Sequence, residues 1–457
     1  MFREYDVRGR VDEDLTEEAA YLIGRGFGTF LRRRGQEEAI VGYDGREYSP
    51  RLKDSLVRGM VESGFKVKDI GMVLTPILYF SQYYLKTKGA VMVTASHNPN
   101  GWGGFKMAYD YSTTLGPEEI RELYTIIESE DFLTGQGATE EIKDIIAAYK
   151  TDLLGRVKIS RPLKVVIDAG NGTAGPIMPE ILEAAGVKVV KQFCKLDFKF
   201  PHHEPNPSLV EAMEALAKRV KKEGADLGIG IDGDGDRLGM VDEKGKIIWP
   251  DQALILLARG VLTKQPGAKI VFDVKSTEAL VEDIKAHGGE PIMWITGHSY
   301  IKAKGKEVGA ALGGEKSGHI FYWQDYYGYD DAVFASLKLL EYLANEKESF
   351  SAIMKTIPQY VTSPSLQVAC PDDKKYEVVE KLVKEFKAEY GKEKVIDING
   401  ARVLFGEGFG LVRASSNLPV LVMVFESKTK EGLEKIQNIF REKFKKYPEI
   451  GSEWKSG

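Results

Sequence analysis

Residues 89–99 read Gly-Ala-Val-Met-Val-Thr-Ala-Ser-His-Asn-Pro, an apolar strand running into a turn with Ser96 at its tip. A second apolar run, residues 227–231, leads in the same way into Asp232-Gly-Asp-Gly-Asp-Arg237. One strand end offers a lone hydroxyl and the other offers three carboxylates at alternate positions. Alternate residues of an extended segment point to one side, so Asp232, Asp234 and Asp236 converge. Carboxylates that close repel, and a hard cation with oxygen ligands is the natural remedy. Gly233 and Gly235 let the backbone curl around such an ion. Asp232, Asp234, Asp236 and Glu243 also fit an EF-hand spacing, but Arg237 stands where that loop needs Gly and the flanks read as strands. Three protein ligands leave room for a phosphate oxygen, as Mg²⁺ sites do; oxygen ligands alone do not separate Mg²⁺ from Mn²⁺. Together the two loops predict a serine that carries phosphate and a divalent cation that sits on it.

Other loops supply phosphate and sugar contacts. Ser96 lacks the Gly-x-Ser-x-Gly elbow of hydrolases, and nothing around His97 suggests a triad. Arg413-Ala-Ser415-Ser416-Asn417 follows a glycine-rich approach and offers a guanidinium fork, two hydroxyls and an amide, a set suited to a phosphate dianion. Lys275 and Arg237 add positive charge. Glu315 and Ser317 offer acceptors for sugar hydroxyls, and His298 could shuttle a proton.

The elements that position these loops alternate strand and helix, the mark of α/β architecture. A loose repeat is visible in three strands that end in Asp44, Asp168 and Asp273, each before a helical stretch starting near Ser49, Ala174 and Ser276. Each unit then reaches a second strand and an unusual loop, at 94–99, 232–237 and 313–319. Repeated units with a special loop at the same place predict three related mixed-sheet α/β domains. Beyond residue 364 the pattern becomes strand 366–369, helix 374–390, strands 395–405, 410–413 and 420–426, and helix 430–446. That order predicts a smaller C-terminal α+β domain, an antiparallel sheet with helices on one face. The expected divisions are 1–153, 154–250, 251–363 and 364–457.

Bulk properties narrow the function. A chain of 457 residues is too long for one ordinary core. A net charge of −5 argues against nucleic acid or an anionic membrane as partner, so anionic ligands must be held by local Arg and Lys. No apolar run approaches membrane-spanning length. The N-terminus is charged from Arg3, unlike a secretory signal. Cys194 and Cys370 stand far apart, which fits a reducing cytosol and a cytoplasmic protein.

These residues together resemble the α-D-phosphohexomutase superfamily, most closely its phosphomannomutase/phosphoglucomutase branch. The likeness runs through the whole chain in order: Tyr5–Gly9, Thr94–Pro99 with Lys106, Asp232–Arg237, Asp273–Lys275, Thr296–His298, Gly314–His319 and Arg413–Pro419. It departs at Trp102-Gly103 and at Ser415-Ser416-Asn417-Leu418-Pro419, where related chains differ in sequence. The resemblance implies four domains around a central cleft and reversible conversion of hexose 1-phosphate and hexose 6-phosphate. Ser96 would carry the phosphoryl group, with Mg²⁺ bound by Asp232, Asp234, Asp236 and a phosphoserine oxygen. Hexose 1,6-bisphosphate would be both intermediate and activator. Arg8 would offset phosphoryl charge, Lys106 or His298 would exchange the proton, and His97 would sit beside the nucleophile. Glu315 and Ser317 would read the sugar, with Tyr5, Arg237, Lys275 and Gly297 around it. Arg413, Ser415, Ser416 and Asn417 would clamp the non-reacting phosphate. Small sugar phosphates would be its partners, and the chain would be a monomer or weakly associated. A phosphoglucosamine mutase of the same family is the nearest alternative. A metal-dependent sugar phosphatase would need no clamp at 406–419, and a non-catalytic sensor would have little use for Ser96, three aspartates, Lys106 and His298 together.

Overall fold

The structure is a computed structural model and describes residues 1–416 and 418–456. Three sheets share one four-stranded unit. In the first, Lys66–Met72, Glu38–Tyr43 and Gly89–Val93 lie parallel in that order, and Trp102–Asp110 closes the row antiparallel. The second repeats this order with Lys188–Gln192, Lys164–Asp168, Leu227–Ile231 and Leu238–Asp242. The third does so with Glu290–Trp294, Lys269–Asp273, Leu312–Gly314 and Ile320–Tyr322. The third strand of each unit is buried along its whole length, as parallel strands covered on both faces must be. Each unusual loop follows that third strand, where the chain reverses into its antiparallel neighbour. Carboxyl ends of parallel strands are where open α/β sheets bind ligands.

One continuous apolar core runs through these three units, from Ile40 and Leu74 through Ile167 and Leu254 to Phe334 and Ile357. The fourth sheet is antiparallel and has a core of its own. Ala401, Val403, Val412 and Met423 pack there with Leu382 and Phe386 of helix Lys375–Tyr390 and Phe440 of helix Lys430–Phe444. The opposite face sets Phe409, Leu411 and Val424 against Val274 of the third unit.

Two local expectations differ. The stretch 395–405 is not one strand but two, Val395–Ile396 and Ala401–Leu404, because the chain turns at Gly400, whose φ of +92° breaks the extended run. The helix expected from Ala174 begins instead at Met178, after turns in which Gly170 and Asn171 are left-handed. Among the described residues no helix is long and apolar enough to cross a membrane.

Candidate active site

Ser96 is buried and has a φ of +52°, a left-handed conformation that costs a non-glycine residue strain. Its surroundings hold it there. The Ser96 N–H donates to Thr94 Oγ1 at 2.8 Å. Arg46 donates to the carbonyls of Ser96, Asn98 and Pro99 at 3.0, 2.6 and 3.3 Å. Asp44 accepts from Thr94 Oγ1 and the Ala95 N–H at 2.9 and 3.1 Å. The Ser96 Oγ itself donates to Asp232 Oδ2 at 3.1 Å, across the boundary between the first two units.

The carboxylate loop comes close enough for this contact because Gly233 has no side chain: a Cβ there would lie 2.5 Å from the Ser96 carbonyl. Asp232 Oδ1 accepts the N–H groups of Gly235, Asp236 and Arg237 at 3.0 to 3.1 Å. Asp234 Oδ2 accepts from Thr75 Oγ1 at 2.6 Å, and Thr94 Oγ1, whose proton goes to Asp44, lies 3.2 Å from it. Lys106 Nζ donates to Asp234 Oδ2 at 2.7 Å and also to Asp236 Oδ2. One ammonium against three buried carboxylates leaves negative charge to be offset. Asp234 Oδ1 and Asp236 Oδ1 are buried with no hydrogen-bond partner, and a ligand atom from each aspartate lies within 4.8 Å of the others. Burial, then Asp236 and Asp234, push Asp232 well above the ordinary carboxylate range. This all-oxygen set, with a hydroxyl beside it, fits a hard divalent ion.

His97 links Ser96 to a second group of side chains. Its Nε2 lies 3.3 Å from Arg237 Nη1, which can only donate, so Nδ1 carries the proton and donates to Ser96 Oγ at 3.2 Å. Burial, then Arg237 and Arg8, depress the His97 pKa well below its usual value, so the imidazole is neutral. Arg237 Nε also donates to His319 Nε2 at 2.9 Å. His319 Nδ1 lies 2.8 Å from Asp330 Oδ2, and His298 Nδ1 lies 3.8 Å from the same oxygen. His298 is also pushed well below its ordinary value by burial, although Asp330 opposes this. Arg8 donates from Nε to Asp6 Oδ2 at 2.6 Å; burial works against its charge, but Asp6 outweighs burial and raises its pKa.

The remaining predicted residues gather on the third unit and the last domain. Gly297, with φ of +136°, donates its N–H to Glu315 Oε1 at 2.5 Å, and Ser317 Oγ donates to Glu315 Oε2 at 3.3 Å. Tyr5 packs edge-on to His298, with ring centroids 5.0 Å apart, and enclosure raises its pKa to about 12. Lys275 Nζ sits 3.5 Å from Asp273 Oδ2. Arg413 is buried, which lowers its pKa, and its acidic neighbours are Asp273, Glu4 and Glu315, with the neutral Tyr5 phenol beside them. Ser415 accepts the Leu418 N–H on its Oγ at 3.2 Å, and Ser416 follows it, half-buried. Asn417 lies outside the described residues. The predicted residues thus form two clusters, one around Ser96 and one around Glu315 and Arg413, joined through Tyr5 and His298.

Several residues of the site carry little signal in the sequence. Asp44 was visible only as the end of an apolar strand, and His319 only as the end of a motif. Arg46, Thr75 and Asp330 carry no local signal, because each acts on residues far away in the chain.

Comparison with known proteins gives the chain its family. Four family models match in order, described as phosphoglucomutase/phosphomannomutase alpha/beta/alpha domains I, II and III and C-terminal domain, over residues 1–134, 143–245, 249–360 and 366–443. The phosphomannomutase/phosphoglucomutase of Pseudomonas aeruginosa is 42% identical over 445 residues, 97% of this chain and 95% of that protein. The phosphoglucomutase of Neisseria gonorrhoeae is 41% identical over 454 residues, 98% of each chain. The crystal structure of a phosphoglucomutase/phosphomannomutase family protein from Burkholderia thailandensis superposes with a TM-score of 0.90 at 38% identity, over 97% of both chains. The chain belongs to the phosphoglucomutase/phosphomannomutase family.

Proposed function

We propose that this protein is a phosphomannomutase/phosphoglucomutase that moves phosphate between the 1- and 6-hydroxyls of a hexose. The observation that carries this reading is Ser96 Oγ, held 3.1 Å from Asp232 Oδ2 beside three converging carboxylates. Phosphorylated Ser96 donates its phosphoryl group to the free hydroxyl of a bound sugar monophosphate. The bond from phosphorus to Ser96 Oγ breaks as the bond to the sugar oxygen forms. The sugar hydroxyl gives its proton to the neutral His298 imidazole, and the Lys106 ammonium returns one to the leaving Ser96 Oγ. The 1,6-bisphosphate turns round in the cleft and returns its other phosphate to Ser96. Such transfer depends on positioning and charge neutralisation.

Asp232, Asp234 and Asp236, with a phosphoserine oxygen, would hold Mg²⁺. Bound there, the ion supplies positive charge to the phosphoryl oxygens. Arg8 adds positive charge at the first cluster, and His97 presents its Nδ1–H to the serine oxygen. Glu315 and Ser317 read the sugar hydroxyls, while Arg413, Ser415, Ser416 and Asn417 hold the phosphate that is not reacting. Lys275 adds its charge at the same end as Arg413, and Tyr5, Arg237 and Gly297 line the path between the two ends. The separation of the site into two clusters supports this division. The same reading assigns domains 1–153, 154–250, 251–363 and 364–457, a cytoplasmic location, and a monomer or weak oligomer.

The test is an assay with Mg²⁺ and a trace of hexose 1,6-bisphosphate, comparing mannose 1-phosphate, glucose 1-phosphate and glucosamine 1-phosphate. Comparable turnover of the first two is expected. Dominant turnover of the amino sugar would reassign the substrate, and release of inorganic phosphate alone would overturn the mutase reading.

A further inference from the structure

Among the described residues Arg402 is the largest side chain that is fully buried, and it lies at the boundary between the last domain and the third unit. It belongs to strand Ala401–Leu404, where Ala401 and Val403 point into the helix-covered core and Arg402 points the other way. Its Nη1 donates to the carbonyls of Val274 and Ser276 at 2.5 and 2.8 Å, the two residues flanking Lys275. Its Nη2 donates to Glu278 Oε1 at 2.7 Å, and the guanidinium lies 3.4 Å from the centroid of the Phe409 ring. The Glu278 N–H in turn donates to Glu426 Oε1 of the last domain at 2.8 Å. A charge with no solvent access needs such partners to be tolerated.

The seam has a direct relation to the phosphate-bearing residues. Phe409, Leu411 and Arg413 alternate along strand Gly408–Ala414 and share one face. Phe409 lies under Arg402, Leu411 packs with Val274, and Arg413 projects towards Asp273 and Glu315. The guanidinium that grips the backbone around Lys275 therefore sits on the same rigid sheet face as Arg413.

We propose that Arg402 is a positioning residue that fixes Lys275 and Arg413 relative to one another, so that both cations face the same end of a bound sugar phosphate. This rests on the function proposed above for those two residues. Arg402 touches neither substrate nor reacting atoms, and its effect passes through the loop Val274–Ser276.

The experiment measures binding of glucose 1-phosphate by calorimetry, and KM and kcat, for wild type, Arg402→Lys, Lys275→Ala and the double variant, with melting temperatures alongside. Loss of a bidentate, charge-assisted grip predicts an increase of about tenfold or more in Kd and KM for Arg402→Lys, with kcat changed much less. In the Lys275→Ala background the same substitution should change Kd by less than about twofold, because the group it positions is gone. An equal effect in both backgrounds, or an unchanged Kd, would overturn the proposal. If Arg402→Lys does not fold, Glu278→Gln, which keeps the residue's shape, decides in the same two backgrounds: a smaller, Lys275-dependent weakening supports the seam and none refutes it. Wild-type protein that binds glucose 1-phosphate without turning it over would sink the mutase reading, while the binding comparison would still judge Arg402.

Discussion

Ser96 occupies a strained backbone position that the protein fixes from below, with Arg46 bonded to three carbonyls of the loop and Asp44 to its other side. Strain held in this way keeps Oγ aimed at the carboxylates in the absence of substrate. We expect Ser96→Ala to lower mutase turnover by several orders of magnitude with an unchanged melting temperature; near-normal turnover, free of wild-type carry-over, would remove Ser96 from its role. Arg46 Nε lies 3.4 Å from Asp44 Oδ2, so Arg46→Ala leaves Asp44 buried without its cation and frees the loop. Its predicted cost is about 3 kcal/mol in stability, with a drop in kcat, read by denaturant unfolding and steady-state kinetics. Asp234→Asn should abolish activation by added Mg²⁺ in protein stripped of metal, and an unchanged metal titration would discredit the three-aspartate site. At this scale the sequence was readable where chemistry is contiguous. Ser96 and the three aspartates announce themselves within single loops. Arg46 lies 50 residues from the loop it holds, and its role arises only on folding.

The three loops meet because the three units place them at equivalent strand ends. The Leu238 N–H donates to the Gly318 carbonyl at 3.2 Å, and Thr75 and Ala332 donate their N–H groups to the carbonyls of Asp234 and Gly235 at 2.9 and 3.3 Å. Behind the carboxylate loop, the Gly233 N–H donates to the Pro205 carbonyl at 3.1 Å, and two residues earlier His203 Nε2 lies 3.2 Å from Asp168 Oδ2. Burial opposes charge on His203, but Asp168 outweighs it and raises the His203 pKa above the usual 6.5. A raised folded-state value stabilises the fold fully below the unfolded pKa, and that stability fades as pH rises through the folded value. The melting temperature of His203→Gln should therefore fall further below wild type at pH 6 than at pH 9; an equal gap at both would show that the pair does not titrate as described. The repeat of strand, helix, strand and loop was legible because buried parallel strands leave continuous apolar runs. The turns at 169–177 and 397–400 were not, because their left-handed residues (Asn171 among them) interrupt otherwise regular patterns.

At the scale of the whole molecule, the first three units share one core, whereas the last domain has a core of its own and joins them through a seam that includes Val274 and Arg402. Ser363 is bonded to Phe425 at both its N–H and its Oγ, 2.8 and 2.9 Å, so the linker belongs to the last domain. Relative motion is the default for domains joined by small interfaces. Small-angle scattering should show a smaller radius of gyration when mannose 1-phosphate is added to Ser96→Ala protein, and no change would mean a rigid cleft. A sequence without partners could separate this domain by pattern, but it could not reveal which face of its sheet meets the rest. The central claim is that Ser96 passes a phosphoryl group to and from sugar. Its most direct test is to incubate the protein with radiolabelled glucose 1,6-bisphosphate, map the label, and then add unlabelled glucose 1-phosphate. The account predicts label on the peptide containing Ser96 that transfers back to sugar; label found elsewhere, or lost only as inorganic phosphate, would contradict it.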